Sequence, residues 1–273
     1  MIMSVKTIML SLAAALVAVS ASAAKVDTVT IKAAEMPVPI VVTVITPDQA
    51  SATHRMPTVY LLNGFGGDHE QWTGTCKQLP ELADRYGMVM VMPDGCDSWY
   101  WDAPANPKVK METFVTKRLV PYIDQHYPTI AEASQRAITG LSMGGHGALW
   151  LGIRHPDIWK NIGSTSGGVN ILPFVKNWKM KDALGEYSEK TAEVWKSHTV
   201  INLVSTMTPG ANNIIFDCGS EDFFSGVNAE LHNAMLKAKI PHDYISRPGK
   251  HSHAYWNKSI LYHLLYFSLH FGK

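Results

Sequence analysis

Short apolar runs alternate with amphipathic segments along most of the chain. Two early stretches, residues 26–31 and 39–45, alternate in polarity or are rich in β-branched side chains, and they predict a pair of antiparallel strands. Further strands are predicted at residues 58–62, 88–92, 136–141, 213–218 and 243–247. Helical apolar stripes follow at residues 111–127, 226–238 and 255–271. This order predicts an α/β fold with a mostly parallel sheet that helices cover on both faces.

Residues 170–210 interrupt the alternation of strands and helices. The stretch is polar, contains tryptophan and lysine, and has neither a strand nor a helix period. It predicts a small cap inserted into the domain. Since no internal repeat or linker is found, residues 25–273 form one predicted domain.

The first 24 residues differ from the rest of the chain. Lys6 is the only charged residue before Lys25, an apolar stretch spans residues 8–19, and Ala21-Ser22-Ala23 follows it. This pattern predicts a secretory signal peptide, residues 1–24, cleaved near Ala23 or Ala24. The apolar core is shorter than the ~20 residues that span a bilayer, so we expect a secreted or periplasmic protein without stable membrane insertion.

Charge and cysteine content exclude several classes of protein. The chain has 24 basic and 23 acidic residues and no basic run, so it lacks the clustered positive face of a nucleic-acid-binding protein. Three cysteines are too few for a disulfide framework, although they allow one bridge between Cys76 and Cys96 that leaves Cys218 as a thiol. No ligand spacing predicts a metal ion, and we expect no cofactor.

The segment Gly140-Leu141-Ser142-Met143-Gly144 carries the strongest chemical signal. It follows a predicted strand and precedes a helix-forming run, which is the setting of a nucleophile elbow. The tight turn forces strained backbone on the serine, and side chains two residues to either side would clash, which glycine avoids. We therefore predict Ser142 as a catalytic nucleophile.

A serine nucleophile needs a base and an acid that orients the base. Asp217, Glu221 and Asp222 lie at or just after the strand predicted at residues 213–218, where a parallel sheet opens onto its ligand crevice. Asp222 is the preferred acid, because Asp217 still belongs to the strand end and is expected to hydrogen-bond locally. Glu221 is expected to face solvent.

Histidines after Asp222 are the candidates for the base, because the acid and the histidine follow the serine in this fold. His232, His263 and His270 fall within helical runs, and His242 precedes a strand. His251 follows the last strand in a turn at the carboxyl edge of the sheet and is the preferred base. His253 is its rival.

An oxyanion hole requires backbone N–H donors beside the nucleophile. The predicted donors are Met143, which follows the serine, and Phe65, in the glycine-rich loop after residues 58–62. Trp99, Tyr100 and Trp101 are expected at the same edge, either as a hydrophobic wall of the pocket or as a surface that stacks on an aromatic acyl group or a sugar.

Motifs along nearly the whole mature chain resemble the putative esterase family. They are Leu62-Asn63-Gly64-Phe65-Gly66-Gly67, Pro93-Asp94-Gly95, Ser98-Trp99-Tyr100, Glu112-Thr113-Phe114-Val115 and residues 140–149, 217–222 and 251–256. The resemblance implies an α/β-hydrolase fold, with Asp222 as the acid and His251 as the base. Two positions depart from the family pattern: Asn63 stands where members often have histidine, and His253 where they often have tryptophan.

The family includes S-formylglutathione hydrolases, tributyrin esterases, feruloyl and acetyl-xylan esterases, and mycolyltransferases. We therefore expect a serine carboxylic-ester hydrolase that acts through an acyl-enzyme on short-chain or carbohydrate-linked (acetyl or feruloyl) esters, with His253 near the substrate. Acyl transfer to a sugar or alcohol is the alternative activity. A catalytically inactive carbohydrate-binding relative is a third hypothesis.

Overall fold

The computed structural model describes residues 23–272. The predicted signal peptide therefore lies outside the described residues, apart from its last two. Within residues 23–272, no helix combines the length and the apolar character needed to cross a membrane.

In the described part of the chain, eight strands form one sheet whose inner part is parallel. The strands are β1 (Lys25–Ile31), β2 (Ile40–Thr46), β3 (Thr58–Leu62), β4 (Val89–Pro93), β5 (Arg136–Gly140), β6 (Asn161–Thr165), β7 (Asn213–Gly219) and β8 (Asp243–Arg247). Their order across the sheet is β1-β2-β4-β3-β5-β6-β7-β8. β2 pairs antiparallel with both β1 and β4, and the other neighbours are parallel. The predicted α/β-hydrolase architecture is confirmed.

Helices of very different length lie between the strands and after the last one. They are α1 (Gln71–Thr75), α2 (Leu79–Tyr86), α3 (Met111–Phe114), α4 (Val120–His126), α5 (Met143–Arg154), α6 (Met180–Leu184), α7 (Ala192–Ser197), α8 (Val200–Leu203), α9 (Ser225–Lys237) and α10 (His253–His270). A π-helical segment, Val115–Leu119, joins α3 to α4. Pro121 explains this wider turn, because a proline ring in a regular α-helix would collide with a carbonyl of the preceding turn.

Alternation along the strands separates two hydrophobic cores. In β3, Tyr60 and Leu62 face the core that contains most of α5, whereas Val59 and Leu61 face the core beneath α2 and α10. Each β3 side chain is therefore committed to one face of the sheet.

The two cores also explain why the Cys76–Cys96 bridge does not form. Cys76 is buried in the α2/α10 core, whereas Cys96 packs against the α5 core on the other face. All three cysteines are free thiols. A disulfide would require the two side chains to approach within the short Cβ separation of such a bond, which residues on opposite faces cannot do.

The predicted cap is helical in short pieces rather than irregular. Turns at Leu172–Phe174 and Val204–Thr206 flank α6, α7 and α8. Met180, Trp195 and Val200 are buried in the α5 core. This segment is therefore anchored in the main domain at several points.

Candidate active site

A sharp turn between β5 and α5 presents Ser142. Its backbone angles are φ 55° and ψ −115°, outside the regions that side-chain-bearing residues ordinarily adopt. A Cβ on Gly140 would lie 2.3 Å from the carbonyl oxygen of Gly144, and a Cβ on Gly144 would lie 2.2 Å from that of Leu62. Glycine is therefore required on both sides of the serine, as the sequence argument predicts.

The structure joins Ser142, His251 and Asp222 by hydrogen bonds. His251 Nε2 lies 2.9 Å from Ser142 Oγ, and His251 Nδ1 lies 2.8 Å and 3.0 Å from the two carboxylate oxygens of Asp222. The Asp222 side chain is 0% exposed and that of His251 is 16% exposed. Since the carboxylate can only accept, Nδ1 carries the proton and Nε2 is left as the acceptor for the serine hydroxyl.

Two loops at the carboxyl ends of β7 and β8 hold the acid and the histidine together. The amide of Glu221 donates to the Gly249 carbonyl at 3.0 Å, and a Cβ on Gly219 would come within 2.2 Å of that same oxygen. Asp222 also accepts a hydrogen bond from the Phe224 amide at 2.9 Å. These contacts fix the separation of Asp222 and His251 before any substrate binds.

The rival residues have other partners. Asp217 is buried and hydrogen-bonded to Arg247 and Ser259, whereas Glu221 is exposed and lies 3.9 Å from Lys250.

His253 is the first residue of α10, so this helix begins two residues earlier than the predicted residue 255.

The glycine-rich loop leaves one amide without an acceptor. In residues 64–67, the first amide donates to Gln71 Oε1 at 2.6 Å, the third to Asp97 Oδ1 at 2.6 Å, and the fourth to the Gly64 carbonyl at 3.0 Å. The amide of Phe65 has no acceptor within residues 23–272. It is therefore available to a ligand, as an oxyanion-hole donor must be.

The second predicted donor lies at the start of α5. Met143 is the first residue of that helix, and its amide also lacks an acceptor in the described part of the chain. The N-terminus of a helix favours negative charge, because its first amides have no partner within the helix.

The Asn63 side chain holds the start of the glycine-rich loop in place by hydrogen bonds. Its side-chain nitrogen donates to the Gly64 carbonyl at 3.0 Å, while its oxygen accepts from the Gly95 amide and from the Tyr100 hydroxyl, both at 2.8 Å. The asparagine that departs from the family pattern therefore has a clear structural role.

A cavity of about 370 Å³ opens at Ser142. Its lining includes Phe65, Gln71, Trp178, Phe223, His251, His253 and Trp256. The rings of Trp178 and Phe223 stack at 5.8 Å, and Phe223, which is 53% exposed, lies 4.3 Å from the ring of His251. His253 thus borders the site as expected, where its Nδ1 is 2.7 Å from Thr75 Oγ1.

Trp178 and Phe223 were not predicted from the sequence. Trp178 is one of four aromatic residues in the polar cap, and Phe223 is the first of two that follow Asp222, so no local signal singles out either residue.

The prediction that Trp99, Tyr100 and Trp101 contact the substrate is wrong for this cavity. All three side chains are buried and none lines it. Trp99 and Trp101 stack at 5.5 Å beneath α5, and Tyr100 packs so closely that a Cβ on Gly147 would come within 2.2 Å of it. These three side chains therefore pack against α5, the helix that follows Ser142.

Residues 33–267 match a family model described as "Putative esterase". The chain belongs to this esterase family.

Individual relatives agree with that assignment. An acetyl esterase from Caldicellulosiruptor saccharolyticus is 25% identical over 219 residues, covering 76% of this chain and 82% of the relative. The structure of a ferulic acid esterase superposes with a TM-score of 0.76 at 26% identity, covering 91% of this chain and 99% of that one. A fluorophosphonate-binding serine hydrolase of Staphylococcus aureus shares the fold, with a TM-score of 0.80 at 17% identity over 90% of this chain and 99% of that one.

The esterase is therefore a carboxylic-ester hydrolase with the α/β-hydrolase fold. Within residues 23–272, no three or more His, Cys, Asp or Glu side chains are grouped so that they could hold a metal ion.

His146, one turn into α5, links the elbow helix of the esterase to the buried tryptophans. Its Nε2 accepts a hydrogen bond from Trp101 Nε1 at 2.9 Å, and its Nδ1 donates to the Gly168 carbonyl at 2.9 Å. Burial lowers the pKa of His146 to about 3. The neutral ring is therefore a structural element of the folded state.

Acid should consequently destabilise the esterase before any carboxylate is titrated. Between pH 7 and pH 5 the unfolded chain takes up a proton at residue 146 and the folded chain does not, so the free energy of unfolding falls by about 1–2 kcal/mol from this group. Urea unfolding at the two pH values measures the loss, and His146→Gln, which can keep both hydrogen bonds, should show a smaller one. The other histidines contribute equally to the wild type and the variant. An equal loss of unfolding free energy in the two proteins would therefore contradict the assignment of this loss to His146.

Proposed function

We propose that this esterase is a secreted serine hydrolase that cleaves short-chain or carbohydrate-linked carboxylic esters through an acyl-enzyme. The observation that carries the proposal is the unbroken chain of hydrogen bonds from Asp222 through His251 to Ser142, at the opening of a cavity. Secretion rests on the pattern of residues 1–24 alone.

In the proposed mechanism, Ser142 Oγ attacks the ester carbonyl while its proton passes to His251 Nε2. Asp222, already bonded to Nδ1, stabilises the imidazolium that forms. The free amides of Phe65 and Met143 bind the oxyanion. His251 then returns the proton to the leaving alcohol. A water molecule takes the place of the alcohol and gives a proton to His251 as it attacks the acyl group, and the acid leaves as His251 returns that proton to Ser142 Oγ.

The cavity favours small or aromatic acyl groups. Phe65, Trp178, Phe223 and Trp256 line it with ring surface, which packs well against a planar aromatic acid and leaves ample room for an acetyl group. The relatives named acetyl esterase and ferulic acid esterase support these two acyl classes.

A panel of esters tests the proposal. We expect turnover of 4-nitrophenyl acetate and methyl ferulate, release of acetate from acetylated xylan, and a decline in kcat/KM as the nitrophenyl acyl chain lengthens towards octanoate. The measurements are absorbance for the nitrophenyl esters and chromatography for the other two. Failure to hydrolyse any of these esters would contradict the proposed function.

A further inference from the structure

The turn that carries the Phe65 amide is closed by a backbone hydrogen bond. We call residues 64–67 the oxyanion turn. The Gly67 amide donates to the Gly64 carbonyl at 3.0 Å, and Gly66 has φ 75°, as the third position of a type II turn requires. The same carbonyl accepts from Asn63 Nδ2 at 3.0 Å. Both donors belong to the stretch of chain that forms the turn, so the turn needs further contacts to fix it relative to Ser142.

Gln71, the first residue of α1, supplies one of these contacts. Its Oε1 accepts the Gly64 amide at 2.6 Å, and a Cβ added to Gly67 would lie 2.5 Å from its Cδ. The Gln71 side chain therefore touches the first and the fourth residue of the oxyanion turn. Because Gly64 is buried, its amide depends on this acceptor and cannot exchange it freely for water.

Asp97, in the loop that follows β4, supplies the second contact. Its Oδ1 accepts the Gly66 amide at 2.6 Å. The backbone of Asp97 has φ 53°, an angle that costs energy in a residue with a side chain and persists where surrounding contacts fix it. Gly95, two residues earlier, donates to Asn63 Oδ1 at 2.8 Å, so the same loop also holds the residue before the turn.

The two side chains hold the peptides on either side of the Phe65 N–H. The Gly64 amide belongs to the peptide before it and the Gly66 amide to the peptide after it, and each peptide is planar and rigid. The Phe65 amide between them has no acceptor among the described residues. A donor held in this way meets a developing negative charge without having to reorient.

We propose that Gln71 and Asp97 are positioning residues of the oxyanion hole, which aim the Phe65 N–H at the carbonyl oxygen of the ester. The inference rests on the proposed function, because an oxyanion forms only when Ser142 attacks a carbonyl carbon. Asp97 provides the purer case, since a carboxylate has no proton to donate to the oxyanion and can act only through the Gly66 amide.

Steady-state kinetics with 4-nitrophenyl acetate test the inference. Gln71→Met keeps the length of the side chain but removes the acceptor, and Asp97→Ala removes the carboxylate. Each should lower kcat about 10- to 100-fold with KM within about threefold of wild type, because a misaimed donor is lost to the transition state and not to the bound ester. Asp97→Asn, which keeps an acceptor oxygen, should recover most of the rate that Asp97→Ala loses.

Two matched controls make the same kinds of change elsewhere. Gln125→Met and Asp157→Ala lie at exposed positions outside the lining of the cavity and should keep the wild-type kcat. Urea unfolding shows whether each variant folds. Since Gly66 is exposed and its amide can turn to water, Asp97→Ala should fold even if Gln71→Met, which strands the buried Gly64 amide, does not.

An inhibitor that mimics the oxyanion separates positioning from a general loss of structure. In 2,2,2-trifluoroacetophenone, the Ser142 hydroxyl adds to the carbonyl carbon, His251 takes the proton, and the carbonyl oxygen becomes a hemiketal oxyanion. The Ki of this ketone should rise in proportion to the loss of kcat. The Ki of 4-nitroacetanilide, an amide with the shape of the ground-state substrate, should stay within about twofold of wild type.

Three results would overturn the inference. They are wild-type kcat in folded Asp97→Ala, a loss that appears in KM instead of kcat, and an Asp97→Asn variant as slow as Asp97→Ala, which would assign the effect to the charge and not to the acceptor. Absence of ester hydrolysis by the wild-type protein is a separate result that contradicts the proposed function. The ketone titration, which needs no turnover, then tests the oxyanion turn by itself.

Discussion

Ser142→Ala is expected to lower kcat for 4-nitrophenyl acetate by about 10⁴- to 10⁶-fold while the protein stays folded. In the part of the chain that the structure describes, the Ser142 hydroxyl is the only nucleophile bonded to His251, and alanine leaves the cavity and the free amides in place. Alanine also has the same Cβ as serine, so the strained turn is neither relieved nor worsened. Initial rates at several substrate concentrations give kcat and KM, and urea unfolding shows whether stability is preserved.

Ser205→Ala is the control for this measurement. It changes an exposed serine in the cap and should retain wild-type rates. If Ser142→Ala keeps as much as a tenth of wild-type activity, Ser142 is not the nucleophile.

His251→Ala should be about as damaging as Ser142→Ala, whereas His253→Ala should leave kcat within about tenfold of wild type. His251 bridges the serine hydroxyl and the buried carboxylate. His253 lines the cavity but points one ring nitrogen at Thr75 Oγ1, 2.7 Å away. Its loss should therefore change KM or the preferred acyl length. Rates across the nitrophenyl series measure both effects.

The double variant Ser142→Ala/His251→Ala sharpens this comparison. Residues that act as one unit are not additive, so the double variant should be no worse than either single variant. An inactive His253→Ala beside an active His251→Ala would show that the base has been misassigned, although the serine-hydrolase mechanism would survive.

The parts of the site that depend on local chain chemistry could be predicted from the sequence. The elbow is recognisable in five consecutive residues: a Cβ on Gly140 would collide with the Gly144 carbonyl inside the turn itself, and Gly144 is required because the turn lies against the Leu62 carbonyl at the end of β3. Asp222 and His251 were identifiable because a parallel sheet brings the ends of its strands to one edge, and each residue follows a recognisable strand.

The parts that depend on packing between distant segments could not be predicted. Whether Tyr100 faces solvent or the core is decided by Gly147, which lets α5 approach that ring, and no local pattern around residue 100 contains this information. Trp178 reaches the cavity from a cap without periodicity, where neither a strand nor a helix rule assigns a direction. The Cys76–Cys96 pairing failed for a similar reason, since nearness to one edge does not specify one face of the sheet.

The position of Ser142 also constrains the order in which the chain can fold. Its amide donates to the Thr165 carbonyl of β6 at 3.0 Å, and the preceding amide, of Leu141, donates to the Leu62 carbonyl of β3 at 3.2 Å. Both bonds join separate strands, and closing the loops between them carries an entropy cost that the packed sheet must offset. Without the alignment of β3, β5 and β6, the turn that presents the serine would lose both bonds. Catalytic competence is therefore acquired only when the centre of the sheet is complete.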